Sequence, residues 1–238
     1  MFGIASRAIR PRRKVRKLSF NIESTRNSKS GKNANKMLST SMGGEYINDY
    51  SYDCGIKPYV NALASRIPTP GGGSASAVCA SIGLATGTMS AVYTKPKKEK
   101  PSLDAAALSN LAKKLQEASF HSLVLAQRDE EAFTALERTW KKDNDISRTE
   151  VELIKKQALD VPLELFNHSY KNIVILDEFL PKCSKNIISD AKVSIHLLCG
   201  SARAAFQTVL VNKPSVELTK DLQAKLKQIE KIESGLIQ

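Results

Sequence analysis

From Ile56 to the end of the chain, apolar residues recur at intervals of three and four, and sustained period-two alternation is absent. That pattern predicts an all-α fold, a bundle of long helices in one domain. Tyr59, Val60, Leu63 and Ala64 mark a short helix over 56–65. Pro68-Thr69-Pro70 and three glycines stop it, because proline disfavours helical geometry in the residue before it. Residues 74–94 form one long uncharged stretch whose length alone would span a bilayer. Its side chains are mostly Ala, Ser, Thr and Gly, and Gly83-x-x-x-Gly87 permits close contact between helices. A buried helix of the bundle, with no transmembrane segment, is therefore the expectation.

After a basic turn at 95–100, Ser102 is the expected N-cap of a long helix carrying Leu103, Leu111, Leu115, Leu125, Ala132 and Phe133. A polar break at 141–147 precedes a helix over 149–179, which Pro162 is expected to bend and Pro181 to follow. Ser184 or Ser189 is the expected cap of the next helix, with Val193, Leu197, Leu198, Ala202 and Val209 on its face and Lys213-Pro214 at its end. Leu218, Leu222, Leu226, Ile229 and Ile232 form the stripe of a last amphipathic helix.

Charge divides the chain. It has 238 residues, 36 Lys/Arg and 24 Asp/Glu, for a net charge of +12, yet the first 36 residues hold eleven of the bases against Glu23 alone. The rest is nearly neutral, which argues against a broad nucleic-acid surface and confines any RNA contact to the tail. Residues 1–44 are read as a basic targeting extension and linker, and 45–238 as the helical domain. An Arg- and Ser-rich, acid-poor start interspersed with Phe2, Ile4, Ile9, Val15, Leu18 and Phe20 has the composition of an organelle transit peptide, so the expected location is the mitochondrion. A disordered basic extension on a cytoplasmic protein is the alternative.

Metal and disulfide chemistry find little support. Cys54, Cys79, Cys183 and Cys199 are irregularly spaced with no Cys-x-x-Cys pair, and His121, His168 and His196 are scattered singly. No metal site and no tightly bound cofactor are expected. The informative feature is Pro70-Gly71-Gly72-Gly73-Ser74, which leads straight into the small-residue helix. Glycines let backbone approach a ligand without intervening Cβ atoms, and the free N–H groups of a helix start favour an anionic or carbonyl-bearing partner. The Gly-Lys-Ser/Thr of a phosphate-binding P-loop is missing. A close-packed turn with no ligand is the competing reading.

This run, Pro-Thr-Pro-Gly-Gly-Gly-Ser, resembles the signature of the cyclodeaminase/cyclohydrolase family, which comprises the cyclodeaminase domain of formimidoyltransferase-cyclodeaminase and free-standing methenyltetrahydrofolate cyclohydrolases. The similarity continues at Asp129-Glu130-Glu131-Ala132-Phe133, Val161-Pro162-Leu163 and Asn186 to Ala191, and covers roughly residues 50–238. Lys185 stands where the family usually has Gly, and Thr208 where an Asn commonly precedes the matched Asn212.

The resemblance implies a helical homodimer whose substrate is a tetrahydrofolate derivative. The reaction would be closure of 5-formiminotetrahydrofolate to the 5,10-methenyl form with release of ammonia, or hydrolysis of that bridge to 10-formyltetrahydrofolate. Either reaction needs a proton carrier near the one-carbon unit. Asp129 and Asp190 are the catalytic candidates on this basis, and Pro70, Gly71, Gly72, Gly73, Ser74, Asn186 and Asn212 the substrate-binding ones. Their plainer roles are a solvated acidic face for Asp129, a helix cap for Asp190, and turn or helix-stop positions for the asparagines. The turn at 95–100 is either a solvated loop or a seat for the glutamate tail. At this length no transferase domain is expected ahead of the helical body. A non-catalytic helical subunit of a larger mitochondrial assembly is the alternative function, motivated by Lys185, Thr208 and the basic tail.

Overall fold

A computed structural model describes residues 55–96, 103–140 and 146–236. Among them every regular element is helical: α1 (Ile56–Leu63), α2 (Gly72–Tyr93), α3 (Ala105–Trp140), α4 (Arg148–Phe179), α5 (Ile188–Val211) and α6 (Val216–Gly235), with one 3-10 turn at Leu180–Lys182. The bundle of long helices is as the periodicity requires. The targeting reading of 1–44, most of the basic turn and Ser102 fall outside the described residues.

Four helices form the bundle, α2 packing on α3 and α5, and α4 on the same two. Cross-links fix their directions. Ser81 meets Ser119 while Ser74 meets Glu130, so α2 and α3 are antiparallel. Ser194 meets the Gly83 carbonyl while Ser201 meets that of Ser76, so α2 and α5 are antiparallel too. Phe166–Phe206 and Ser169–Ser201 show the same for α4 and α5. One end of the bundle therefore gathers the start of α2, the end of α3, the start of α4 and the end of α5.

α2 is the spine. By length and composition it could cross a membrane, but Ala77, Ala80 and Leu84 are fully buried against its neighbours. A Cβ on Gly83 would lie 3.0 Å from that of Leu197, and one on Gly87 2.7 Å from Ser194 Oγ, so the small residues let α5 approach. Buried serines are satisfied across these seams, as at Ser81, Ser119, Ser194 and Ser201, or by their own helix, as at Ser76, Ser90 and Ser122, and no buried side-chain N or O atom among the described residues lacks a partner. α6 caps the bundle with Leu222 and Ile229 fully buried, and Glu233 takes Arg203 and His196 of α5.

Helix boundaries correct two expectations. The N-cap of α5 is Ile187, with no side-chain cap. Ser184 instead accepts the Lys95 N–H at 2.9 Å, tying the end of α2 to the approach to α5, while Ser189 lies inside α5 and reaches Asp190. Asp190 sits in the first turn of α5 and is not its cap. At the start of α3, Asp104 Oδ1 accepts the Ala107 N–H at 2.7 Å. α4 runs unbroken through the buried Pro162.

Candidate active site

The turn from Pro68 to Gly71 includes a cis Thr69–Pro70 peptide and delivers Gly71, in extended geometry, as the N-cap of α2. No side chain caps that helix start, so its first amide groups depend on partners from elsewhere. One arrives from α3: the Asp129 carboxylate accepts the Ser74 backbone N–H. Gly73 is what allows this, since a Cβ there would overlap the carboxylate. The helix start that sequence reasoning left open to an anion thus already holds one of the protein's own.

Ser74 itself is fully buried. Its hydroxyl donates to Glu130 at 2.8 Å and lies 3.1 Å from the Tyr59 hydroxyl, joining α1, α2 and α3. Its part in the site is therefore positional, through its amide and this three-helix bolt. Burial pushes the Asp129 carboxyl above the ordinary aspartate value, the Ser74 N–H pulls it down, and the neighbouring Glu130 charge pushes it up again. Burial likewise raises the Tyr59 hydroxyl.

Asp129 opens onto a cleft of about 790 Å³ at that end of the bundle, within the range of small-molecule sites. Gly71, Gly72 and Gly73 form its edge along α2. Ala132, Phe133, Leu136 and Trp140 of α3 make an apolar wall, with Ala158 and Lys155 on α4. Gln207, Thr208, Val211, Asn212 and Lys213 complete it at the end of α5. Asn212 is the C-cap of α5, and its amide donates to the Thr208 carbonyl at 2.9 Å, leaving its oxygen as an acceptor.

Of the sequence candidates, the structure brings Gly71, Gly72, Gly73, Asp129 and Asn212 to one cleft. Pro70 does not line it, although Pro68 and Thr69 of the same turn do. Asn186 and Asp190 lie at the start of α5, whereas Thr208 is at its end. Eighteen residues of helix separate Asp190 from Thr208, about 27 Å at 1.5 Å per residue. Lys95 is at that far end too, bonded to Ser184. Sequence reasoning missed Trp140, Lys155 and Gln207. Trp140 follows Phe133 by two helical turns and Gln207 adjoins Thr208, so only the facing of the helices could have marked them. Among the described residues no group of three His, Cys, Asp or Glu is placed to hold a metal ion.

The chain is similar to known proteins over most of its length. The chain is 27% identical over 181 residues to a methenyltetrahydrofolate cyclohydrolase of Methylorubrum extorquens, covering 74% of this chain and 86% of that protein. The fold is similar to the crystal structure of formiminotetrahydrofolate cyclodeaminase from Thermotoga maritima, with a TM-score of 0.64 and 25% identity, over 76% of this chain and 90% of the other. The family model for formiminotransferase-cyclodeaminase matches residues 55–231, the glycine turn, Asp129 and Asn212 included, and the chain belongs to that family.

Proposed function

We propose that the protein is a folate one-carbon enzyme, a formimidoyltetrahydrofolate cyclodeaminase or a methenyltetrahydrofolate cyclohydrolase, with Asp129 as its proton carrier. The observation that carries this is a carboxylate set by the Ser74 amide at a helix start and facing an apolar cleft. Its raised proton affinity suits a group that must both take and return a proton.

In cyclodeamination, N10 attacks the carbon of the protonated formimino group, and Asp129 takes the N10 proton. The proton is then given to the departing nitrogen, which leaves as ammonia while the 5,10 bridge closes. In hydrolysis, water adds to the amidinium carbon of the bridge, and Asp129 takes its proton. Returning that proton to N5 lets the carbon–N5 bond break, and loss of the remaining hydroxyl proton to solvent gives the 10-formyl product. In both directions the ionised carboxylate stabilises the cationic bridge. Gly71 and Gly72 leave room for the ligand, and the amide of Asn212 and the side chain of Gln207 offer donors and acceptors to the heteroatom edge of a pterin.

Asp190 and Asn186 belong to the site, on this reading, through a second copy of the chain. α2 turns an uncharged face outward, with Ile82 at 45%, Met89 at 38%, Val92 at 65% and Tyr93 at 47% exposure. Phe120, Leu123 and Val124 of α3 are exposed as well. A two-fold contact with the two α2 helices antiparallel sets the glycine end of one copy beside the Tyr93 end of the other, where Asn186 and Asp190 lie. The acid-poor tail supports a mitochondrial location, which import assays with and without residues 1–44 test.

The activity is tested by following the methenyl absorbance band with purified protein. Loss of the band from methenyltetrahydrofolate identifies the hydrolase, and its growth from 5-formiminotetrahydrofolate the deaminase. A folded protein inert towards both contradicts the proposal.

A further inference from the structure

We infer that Trp140, backed by Phe133, positions the substrate's arylamine ring, the one attached at N10. The inference rests on the folate reading of the cleft. Asp129 marks where the one-carbon unit reacts, and α3 continues from it along the cleft, lining it again at Phe133, Leu136 and Trp140. Phe133 is one turn further and Trp140 about 16 Å further along the axis. Helical side chains lean towards the N-terminus of their helix, so the indole leans back towards Phe133. The two rings meet edge to face, with centroids 5.9 Å apart and planes at 84°.

Trp140 is 61% exposed and Phe133 36% exposed, yet both line the cleft. A large aromatic left mostly in water on a pocket wall gains little from the fold and much from a ligand that covers it. The two long walls also differ in kind. α3 presents Phe133, Leu136 and Trp140, while the end of α5 presents Gln207, Thr208 and Asn212 around the single aliphatic Val211. A folate is asymmetric in the same way about its one-carbon bridge. Its pterin is edged with donors and acceptors, and its benzoyl ring is flat and apolar. With the bridge at Asp129, the polar wall takes the pterin and the aromatic wall takes the benzoyl ring.

Trp140 is the chain's only tryptophan, so it reports on itself. Steady-state kinetics of wild type, Trp140→Phe and Trp140→Ala on the folate that the enzyme turns over give KM and kcat separately. KM is expected to rise about tenfold in Trp140→Ala, with kcat within about twofold, and to be largely restored in Trp140→Phe. In parallel, p-aminobenzoylglutamate is expected to shift the Trp140 emission to shorter wavelength, and 6-methyltetrahydropterin to leave it unchanged. An unaltered KM in an active Trp140→Ala enzyme, or a pterin fragment that shifts the emission as strongly as the aryl one, overturns the assignment while leaving the folate reading intact. Wild-type protein inert towards both folates removes that reading and this assignment with it.

Discussion

Gly73 and Asp129 are coupled more tightly than their 56-residue separation suggests. In Gly73→Ala the new Cβ enters space held by the carboxylate, so Asp129 must leave the Ser74 amide. We expect a cost of about 1–3 kcal/mol in urea unfolding together with loss of turnover. Gly72→Ala, whose Cβ meets nothing within 4 Å, is expected to change stability by less than about 0.5 kcal/mol. Asp129 also carries a pH signature. Its folded proton affinity is raised, so its contribution to stability is fullest below the ordinary aspartate value and is lost as pH rises through the folded one. Asp129→Asn is therefore expected to be more stable than wild type near neutrality, with the gain disappearing in acid, as urea midpoints at the two pH values will show. The same displacement moves the acid limb of the wild-type rate profile above that of an ordinary aspartate. From sequence, Asp129 could be named only by its resemblance to a motif. That Ser74 serves it through a backbone amide was invisible, because a hydroxyl-bearing residue beside glycines reads first as a ligand contact.

At the level of helices, periodicity carried almost everything. Each long helix lies where its apolar spacing puts it, and α2 is buried because small residues, rather than large apolar ones, fill it. What the pattern missed are helix starts, where one local hydrogen bond decides the boundary and any nearby Ser or Asp can supply it. Ser184 bonds to Lys95, and α5 begins without a side-chain cap. The α2–α5 seam gives a direct test. In Gly87→Ala a Cβ would lie 2.7 Å from Ser194 Oγ and 3.0 Å from a Leu176 methyl. Ser194 cannot swing away freely, because it donates to the Gly83 carbonyl at 2.6 Å. Overpacking costs about 1–3 kcal/mol, and the helix preference of alanine returns up to about 1, so a net loss of about 1–2 kcal/mol is expected in denaturant unfolding.

The antiparallel bundle decides which residues share a site. It places the end of α5 beside the start of α2 and sends Asp190 to the opposite end, a separation no linear motif can show. If the antiparallel α2 contact is right, Asp129→Asn and Asp190→Asn are each nearly inactive as homodimers. Mixing them after reversible dissociation then restores up to about a quarter of wild-type turnover, because half the dimers are mixed and each mixed dimer has one intact site. An Asp190→Asn enzyme with full activity would remove Asp190 from the site and leave Asp129 untouched. The most direct test of the central claim is the turnover of Asp129→Asn on the methenyl or formimino folate, measured against wild type with folding checked by circular dichroism. A fall of about 10²- to 10⁴-fold in kcat, with the helical signal intact, is the expected result; a folded Asp129→Asn protein that turns over folate at the wild-type rate would contradict it.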